Sequence, residues 1–305
     1  MIVYTANIKE HDNWAYAEEV IKKINKKGIF VSFCDSYFTE NTQPITELWY
    51  GIIHNPFGWE KYTPWDKTNL FTIKSFIESL KFCKVLFVMA ETQIIHIKGL
   101  LNAKGVDHIS VFSLTHPIRE LNYAFNYYKY LYNDRKTLYS VGNWLRKQYT
   151  IFKLACSNKF HKALIPFTTR TKTELKYYIH FDKINMTKNE YDSVMKVSHV
   201  NKDHYHKIFE NNLVLLDVYL TTINNTLLEC IIANTPIILN RRPEYIALLG
   251  EDYPLFFDNM EQISSLIEDD NNIFKAHVHL KSMDKTKFSF SYFQQLIEKY
   301  IDTCV

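Results

Sequence analysis

Apolar positions fall in short blocks along this chain, and the blocks alternate between two periods. Residues 1–6 form an apolar run of strand type, followed by a polar loop over 7–13. Across 14–26 the apolar residues Trp14, Ala17, Val20, Ile21 and Ile24 recur at helical spacing, and Gly28 ends the segment. Residues 29–34 return to an unbroken apolar run. Strand, helix, strand in that order predicts a βαβ unit and a parallel sheet. The pattern continues with strands over 48–53, 84–89 and 109–114, a helix over 72–80 and another from Glu91-Thr92 through Leu101. A second series opens near Arg135, with strands over 136–141, 163–167, 194–197 and 213–220 and a helix over 202–209. An edge element over 256–267 and a closing amphipathic helix over 290–301 complete it. The simplest assembly is α/β: two Rossmann-like, doubly wound parallel-sheet domains, with a boundary near residues 120–136. Such domains aim their strand ends at ligands, so the cleft between them is the expected site.

The stretch richest in signals is 224–254. Asn224, Asn225 and Thr226 are cap-type residues before the apolar run 227–232, which carries Glu229 in its first turns. Thr235-Pro236 opens a short strand, and Asn240-Arg241-Arg242-Pro243 ends it in a charged turn. Helix N-termini and the carboxyl ends of strands attract anions. Asn225, Thr226, Glu229, Arg241 and Arg242 could therefore face one anionic ligand, although helix capping and a solvated turn would leave the same pattern.

Composition narrows the chemistry. The 305 residues suffice for two domains; 47% are hydrophobic and 23% charged, as in soluble globular proteins. A net charge of +3, spread along the chain, does not point to nucleic acid. No apolar run is long enough to span a bilayer, and the start of the chain lacks the pattern of a secretory signal. The five cysteines show no CxxC spacing and read as reduced thiols, which together suggests the cytoplasm. The abundance of Lys, Asn, Ile, Tyr and Phe suits an AT-rich genome, such as that of a low-GC bacterium or of a large DNA virus acting in its host's cytoplasm. Only seven glycines are present, and GxGxxG, the P-loop and GxSxG are all missing. His204/His206 and His277/His279 are HxH pairs without a third ligand at a recognisable spacing. No Asp-x-Asp motif is present to hold a metal on a nucleotide.

The order of motifs resembles that of two-domain GT-B glycosyltransferases, most closely those similar to family four. GIIHNP places His54 at a strand end, and VLFVMAET puts Ala90-Glu91 where the family has Ser-Glu. LYSVGNWLRK supplies Arg146 and Lys147 as the nearest matches to the cations that bind the diphosphate. KVSHVNKDHYHKIF resembles the segment bordering the base, at His199 and Val200, and NNTLLECIIANTPIILN matches the most specific piece. The resemblance covers nearly the whole chain. It implies a division into an acceptor domain (1–130), a nucleotide-sugar domain (131–286) and a helix packing back on the first domain (287–305). It implies Glu229 on the ribose hydroxyls, the Asn225 and Thr226 amides on the diphosphate, and His54 at the transferred sugar. If the enzyme inverts, His54, Asp12 or Glu10 is the candidate base. The family's first glutamate falls on Thr221, a departure that leaves donor and stereochemistry open. The expected reaction moves a sugar from a UDP- or GDP-type donor to a hydroxyl of a glycan or glycoprotein. It needs no metal and no cofactor beyond that donor. A nucleotide-sugar epimerase of the same fold and a non-catalytic nucleotide- or sugar-binding module are the alternatives.

Overall fold

The computed structural model describes residues 1–4, 12–65, 69–201, 205–222 and 224–304. The chain folds as two compact units: Met1–Arg119 with Leu220–Ile223 and Asp284–Val305, and Glu120–Tyr219 with Asn224–Met283.

The first unit holds a five-stranded sheet, all pairs parallel, in the order β1 (Ile2–Tyr4), β2 (Ile29–Val31), β3 (Trp49–Ile53), β4 (Cys83–Val88), β5 (Ser110–Ser113). Side chains alternate across a strand, so its two faces feed different cores. Trp49 and Ile53 of β3, with Leu86 and Val88 of β4, pack on the helices Cys34–Glu40, Lys74–Ser79 and Ile94–Ala103. Tyr50 and Ile52, with Val85 and Phe87, pack on the other side against Ala17 and Ile21 of the helix Asp12–Lys22. They also meet Phe293, Ile297 and Ile301 of the closing helix Phe290–Asp302. That helix is capped by Ser289, whose hydroxyl accepts from the Tyr292 amide. Its three buried residues recur at i, i+4 and i+8, the stripe its sequence predicts. Tyr292 stays largely exposed.

The second unit is a six-stranded parallel sheet in the order β11-β10-β9-β6-β7-β8. Its strands are β6 (Lys136–Val141), β7 (Phe160–Ile165), β8 (Val194–Lys196), β9 (Leu213–Leu216), β10 (Ile237–Asn240) and β11 (Phe256–Phe257). From β6 the chain winds outward through β7 and β8, then returns to lay β9, β10 and β11 on the opposite side. The order therefore reverses between β6 and β9. Ligands of open α/β sheets bind beyond the carboxyl ends at such a reversal.

Several helices escape the sequence pattern. Residues 29–34 were expected to be one strand, yet the strand stops at Val31 and Cys34 opens a helix. Phe33 and Cys34 are apolar because that helix packs on the sheet, not because the strand continues. Thr169–Phe181 was hidden because polar residues take buried positions on its inner face: Thr171, Glu174, Leu175 and Tyr178. The Thr171 hydroxyl is satisfied by the Pro166 carbonyl at 2.7 Å, and Glu174 pairs with Arg170 at 2.8 Å. Asp270–Ser282 buries only Ile273, Ala276 and Leu280, a sparse stripe within a polar sequence. Residues 256–267 divide into β11 and the helix Gln262–Glu268 rather than forming one edge element.

Gly51 is dictated by packing. A Cβ there would lie 2.4 Å from Cys34 Sγ and 2.7 Å from Trp49 Cζ3, both in the core. Gly51→Ala is expected to cost about 1–3 kcal/mol in urea unfolding. Cys34→Ala should recover part of that loss, with the Trp49 contact retaining the rest. A neutral Gly51→Ala would mean that this close approach is not present in solution.

Candidate functional site

In the second unit β6 ends at Val141, and the loop 142–147 crosses the carboxyl end of the sheet. Backbone bonds pin it: Gly142 N–H to the Ile165 carbonyl at 2.7 Å, Lys147 N–H to Asp217 at 2.8 Å, and Tyr219 N–H to Leu145 at 2.9 Å. Arg146 and Val218 form an antiparallel bridge. Asn240, at the end of β10, clamps Val218 through its side-chain amide, accepting from the Val218 N–H at 3.1 Å and donating to its carbonyl at 2.9 Å. Buried Leu145 is held at φ +57°, a conformation that non-glycine residues rarely adopt, so the loop is over-determined by these bonds.

The loop presents Arg146. Gly142, at φ +89°, lies under the guanidinium; a Cβ there would come within 3.2 Å of Nε and 3.3 Å of Nη2. Burial lowers the Arg146 pKa from its ordinary value, and a hydrogen bond to the Tyr245 hydroxyl opposes that shift. Arg146 Nε is buried without a hydrogen-bond partner among the described residues. Tyr245 is 1% exposed, and its hydroxyl also accepts from Asn224 Nδ2 at 3.0 Å. Asn224 is the N-cap of the helix Asn225–Ala233: its Oδ1 accepts from the Leu227 amide at 2.8 Å, which leaves Nδ2 to face Tyr245. One buried phenol thus ties the Arg146 cation to the positive end of a helix. The first-turn amides of Asn225 and Thr226 have no intrahelical acceptor by geometry.

Around this centre lie two buried carboxyls. Asp217, directly after β9, is pushed up to about 6 by burial, against the opposing effects of Lys147 and of a 2.8 Å bond from the Thr150 hydroxyl. Lys147 Nζ stands 4.0 Å from Asp217 Oδ1 and lies over the Tyr219 ring. Glu229, in the middle of the helix, is pushed up to about 7 by burial, while the Tyr205 hydroxyl donates to it at 3.0 Å and pulls the other way. Burial, reinforced by the Glu229 charge, raises the Tyr123 phenol in turn.

In the first unit His54 directly follows β3. Its ring stacks on Phe33 with centroids 3.8 Å apart, and its carbonyl accepts from the Thr222 hydroxyl at 3.1 Å. Asp35 Oδ2 accepts from the His54 amide at 2.7 Å and the Asn55 amide at 3.4 Å. Burial pushes the Asp35 carboxyl up to about 6 despite those bonds.

No protein-family model matches this chain, and no curated protein matches its sequence. Solved structures do match. Sucrose-phosphate synthase from Thermosynechococcus elongatus superposes with a TM-score of 0.61 at 10% identity, over 97% of this chain and 79% of its own. Anabaena HepE, solved in complex with UDP and glucose, superposes with a TM-score of 0.62 at 10% identity, over 94% and 81%. A UDP-forming α,α-trehalose-phosphate synthase from Burkholderia xenovorans gives 0.61 at 9% identity, over 96% and 77%. The chain has the GT-B fold. Its two parallel sheets, foreseen from the alternation of strands and helices, are those of GT-B proteins.

Within this GT-B chain the structure brings together Arg146, Asn225 and Thr226 through Asn224 and Tyr245. Lys147 points instead to Asp217. Glu229 meets Tyr205. His199 is exposed and Val200 half-buried, past the end of edge strand β8, which β7 separates from β6. Arg241 and Arg242 do not join the Arg146 group. Arg241 bonds Asp258 at 3.2 Å and lies over the Phe256 ring, and Arg242 stands 3.8 Å from Glu244. His277 and His279 lie on a helix, not a strand, and contact the carbonyls of Asn234 and Leu249. Among the described residues no cluster of three or more His, Cys, Asp or Glu is placed to hold a metal ion. His116 contacts the Pro117 carbonyl. Asp12 opens its helix, but its side chain lies outside the described residues, as do Glu10 and His204.

Tyr245, Asp217, Tyr205 and Asp35 were not among the candidates that stood out in the sequence. Asp217 had a signal, being the first polar residue after a run of four buried apolar ones. Tyr245 had none, since a helical tyrosine reads as packing.

Glu229 generates a pH prediction. Its carboxyl keeps its proton to about 7 in the folded chain, against an ordinary value of 4.5. Its contribution to stability therefore falls as pH rises through that window and is level above it. Glu229→Gln should gain on the order of 2 kcal/mol over wild type at pH 8 and nothing comparable at pH 4, read from urea unfolding at both values. An equal difference at the two pH values would show a carboxyl that titrates normally.

Proposed function

We propose that this protein is a glycosyltransferase that moves a sugar from a nucleoside-diphosphate sugar to a hydroxyl of a glycan acceptor. The observation that carries the reading is the Arg146–Tyr245–Asn224 link: a half-buried guanidinium, its Nε out of solvent, fixed beside a helix N-terminus at the point where the strand order reverses. An anionic ligand at that point meets a cation with a donor to spare and two first-turn amides, the chemistry a diphosphate needs. The fold and two of its structural neighbours, one UDP-forming and one solved in complex with UDP and glucose, support a donor of UDP type.

In the proposed reaction the acceptor oxygen bonds to the anomeric carbon as the bond from that carbon to the diphosphate breaks. The diphosphate leaves with the electron pair, and the acceptor proton passes to a base or to the leaving group. Arg146 and the helix end stabilise the charge that gathers on the diphosphate, so the proposal needs no metal. Lys147 adds charge at the same strand end, restrained by Asp217. Glu229, as an anion, accepts the ribose hydroxyls; Tyr205 orients it. His54 is assigned to the transferred sugar, with Asp35 holding the backbone that carries it. Asp12 is kept as an alternative base, and His199 and Val200 as the border of the nucleotide base.

The test is binding followed by turnover. UDP or GDP should raise the Tm of the wild-type protein, because a ligand selective for the folded state stabilises it by mass action. Arg146→Ala should weaken that binding about 100-fold, the scale of a buried charge-assisted contact, and Tyr245→Phe about tenfold, the scale of one hydrogen bond. Incubation of the matching sugar nucleotide with a glycan acceptor should then release the nucleoside diphosphate. No Tm shift with any nucleoside diphosphate at millimolar concentration would sink the reading. Binding without turnover across an acceptor panel would leave a nucleotide-binding module.

A further inference from the structure

The second unit carries a cavity of about 680 Å³ beside the helix Thr169–Phe181, lined by residues of 167–191 only. That volume lies within the range of about 300–1,000 Å³ typical of sites for small organic ligands. Its walls are methyl-rich: Leu175, Ile179, Ile184 and Met186. Its rim is basic. Lys172 and Lys176 stand one turn apart on the helix, and Lys188 begins the next one.

The walls are built before any ligand arrives. The helix ends at Lys183 in a left-handed conformation, and the Ile184 amide turns back to the Ile179 carbonyl at 2.8 Å. Thr187 then caps the following helix through a reciprocal box with Glu190. Tyr191, at the far side, is stacked on Phe152.

Three neighbouring carboxylates are committed elsewhere. Glu174 pairs with Arg170 at 2.8 Å, and Glu190 with Lys153 at 2.5 Å. Asp182 accepts from the Tyr149 and Tyr219 hydroxyls, each at 2.5 Å. Among the described residues none of the three rim lysines has a carboxylate within ion-pair distance; Lys172 lies over the Phe167 ring. An aliphatic interior with an uncompensated cationic rim selects one chemistry. A neutral hydrocarbon would leave the lysines unused, and a small anion would leave the walls unused.

We infer that this cavity binds a single-chain anionic amphiphile, with its aliphatic chain against Ile179, Ile184 and Met186 and its anionic head between Lys172, Lys176 and Lys188. The inference is independent of the diphosphate reading. Decyl phosphate, titrated calorimetrically as a monomer, should bind the wild-type chain, whereas decyl maltoside and inorganic phosphate at the same concentration should not. The exposed double variant Lys172→Glu/Lys176→Glu should fold normally and lose at least about tenfold in decyl phosphate affinity, as charge reversal at a rim demands, while its UDP binding stays unchanged. Equal binding of decyl maltoside, or decyl phosphate binding that the double variant leaves untouched, would overturn the inference. A headgroup in a bilayer is the other source of this chemistry. Co-sedimentation with vesicles containing phosphatidic acid, without binding of monomeric decyl phosphate, would replace the enclosed chain by a membrane contact.

Discussion

A cation held at the end of a sheet, with too few protein partners of its own, is the constraint on which the second unit depends. Taking a guanidinium partly out of water is costly unless its donors are met. Here burial already lowers the Arg146 pKa, and Tyr245 offsets only part of that. The surrounding loop is bound accordingly: Gly142 removes a side chain, Leu145 accepts an unfavourable φ, and Asn240 clamps Val218, the bridge partner of Arg146. Local cost at this one position is supported by bonds from three strands. Strain of this kind clusters at functional sites, which is the physical basis of the role proposed for Arg146.

The same economy appears in the acids. Asp35, Asp217 and Glu229 are each buried enough to hold a proton well above the ordinary range of a carboxyl. Each also touches a group of the proposed chemistry. Asp35 holds the backbone of His54, Asp217 stands by Lys147, and Glu229 is the proposed ribose acceptor. Burial gives these carboxyls their directional bonds to amides and hydroxyls, and the shift in pKa is its other consequence. Asp35 in the first unit, and Asp217 and Glu229 in the second, therefore change charge closer to neutrality than ordinary carboxyls do.

Apolar alternation made the sheets legible. Runs such as 84–89 and 136–141 are buried on both faces, as parallel strands must be, so their boundaries came within a residue of those observed. The helix Thr169–Phe181 stayed hidden because its buried face includes Thr171 and Glu174, which bond within the same stretch of chain and so mimic an exposed pattern. Apolar residues continue across the junction at Cys34, and period alone does not separate a buried strand from the first turn of a buried helix.

The βα alternation, and with it the parallel sheets and a cap-rich helix start at Asn224–Thr226, is written in the chain. These follow from local periodicity and from side chains that bond their own backbone. Which cations stand at that helix is a matter of tertiary structure. Arg241 and Arg242, nearest in sequence, are drawn off to Asp258 and Glu244, whereas Arg146 comes from a loop nearly eighty residues earlier. The reason is the reversal of strand order between β6 and β9. It sets two distant loops side by side, and a buried tyrosine with no sequence signature joins them.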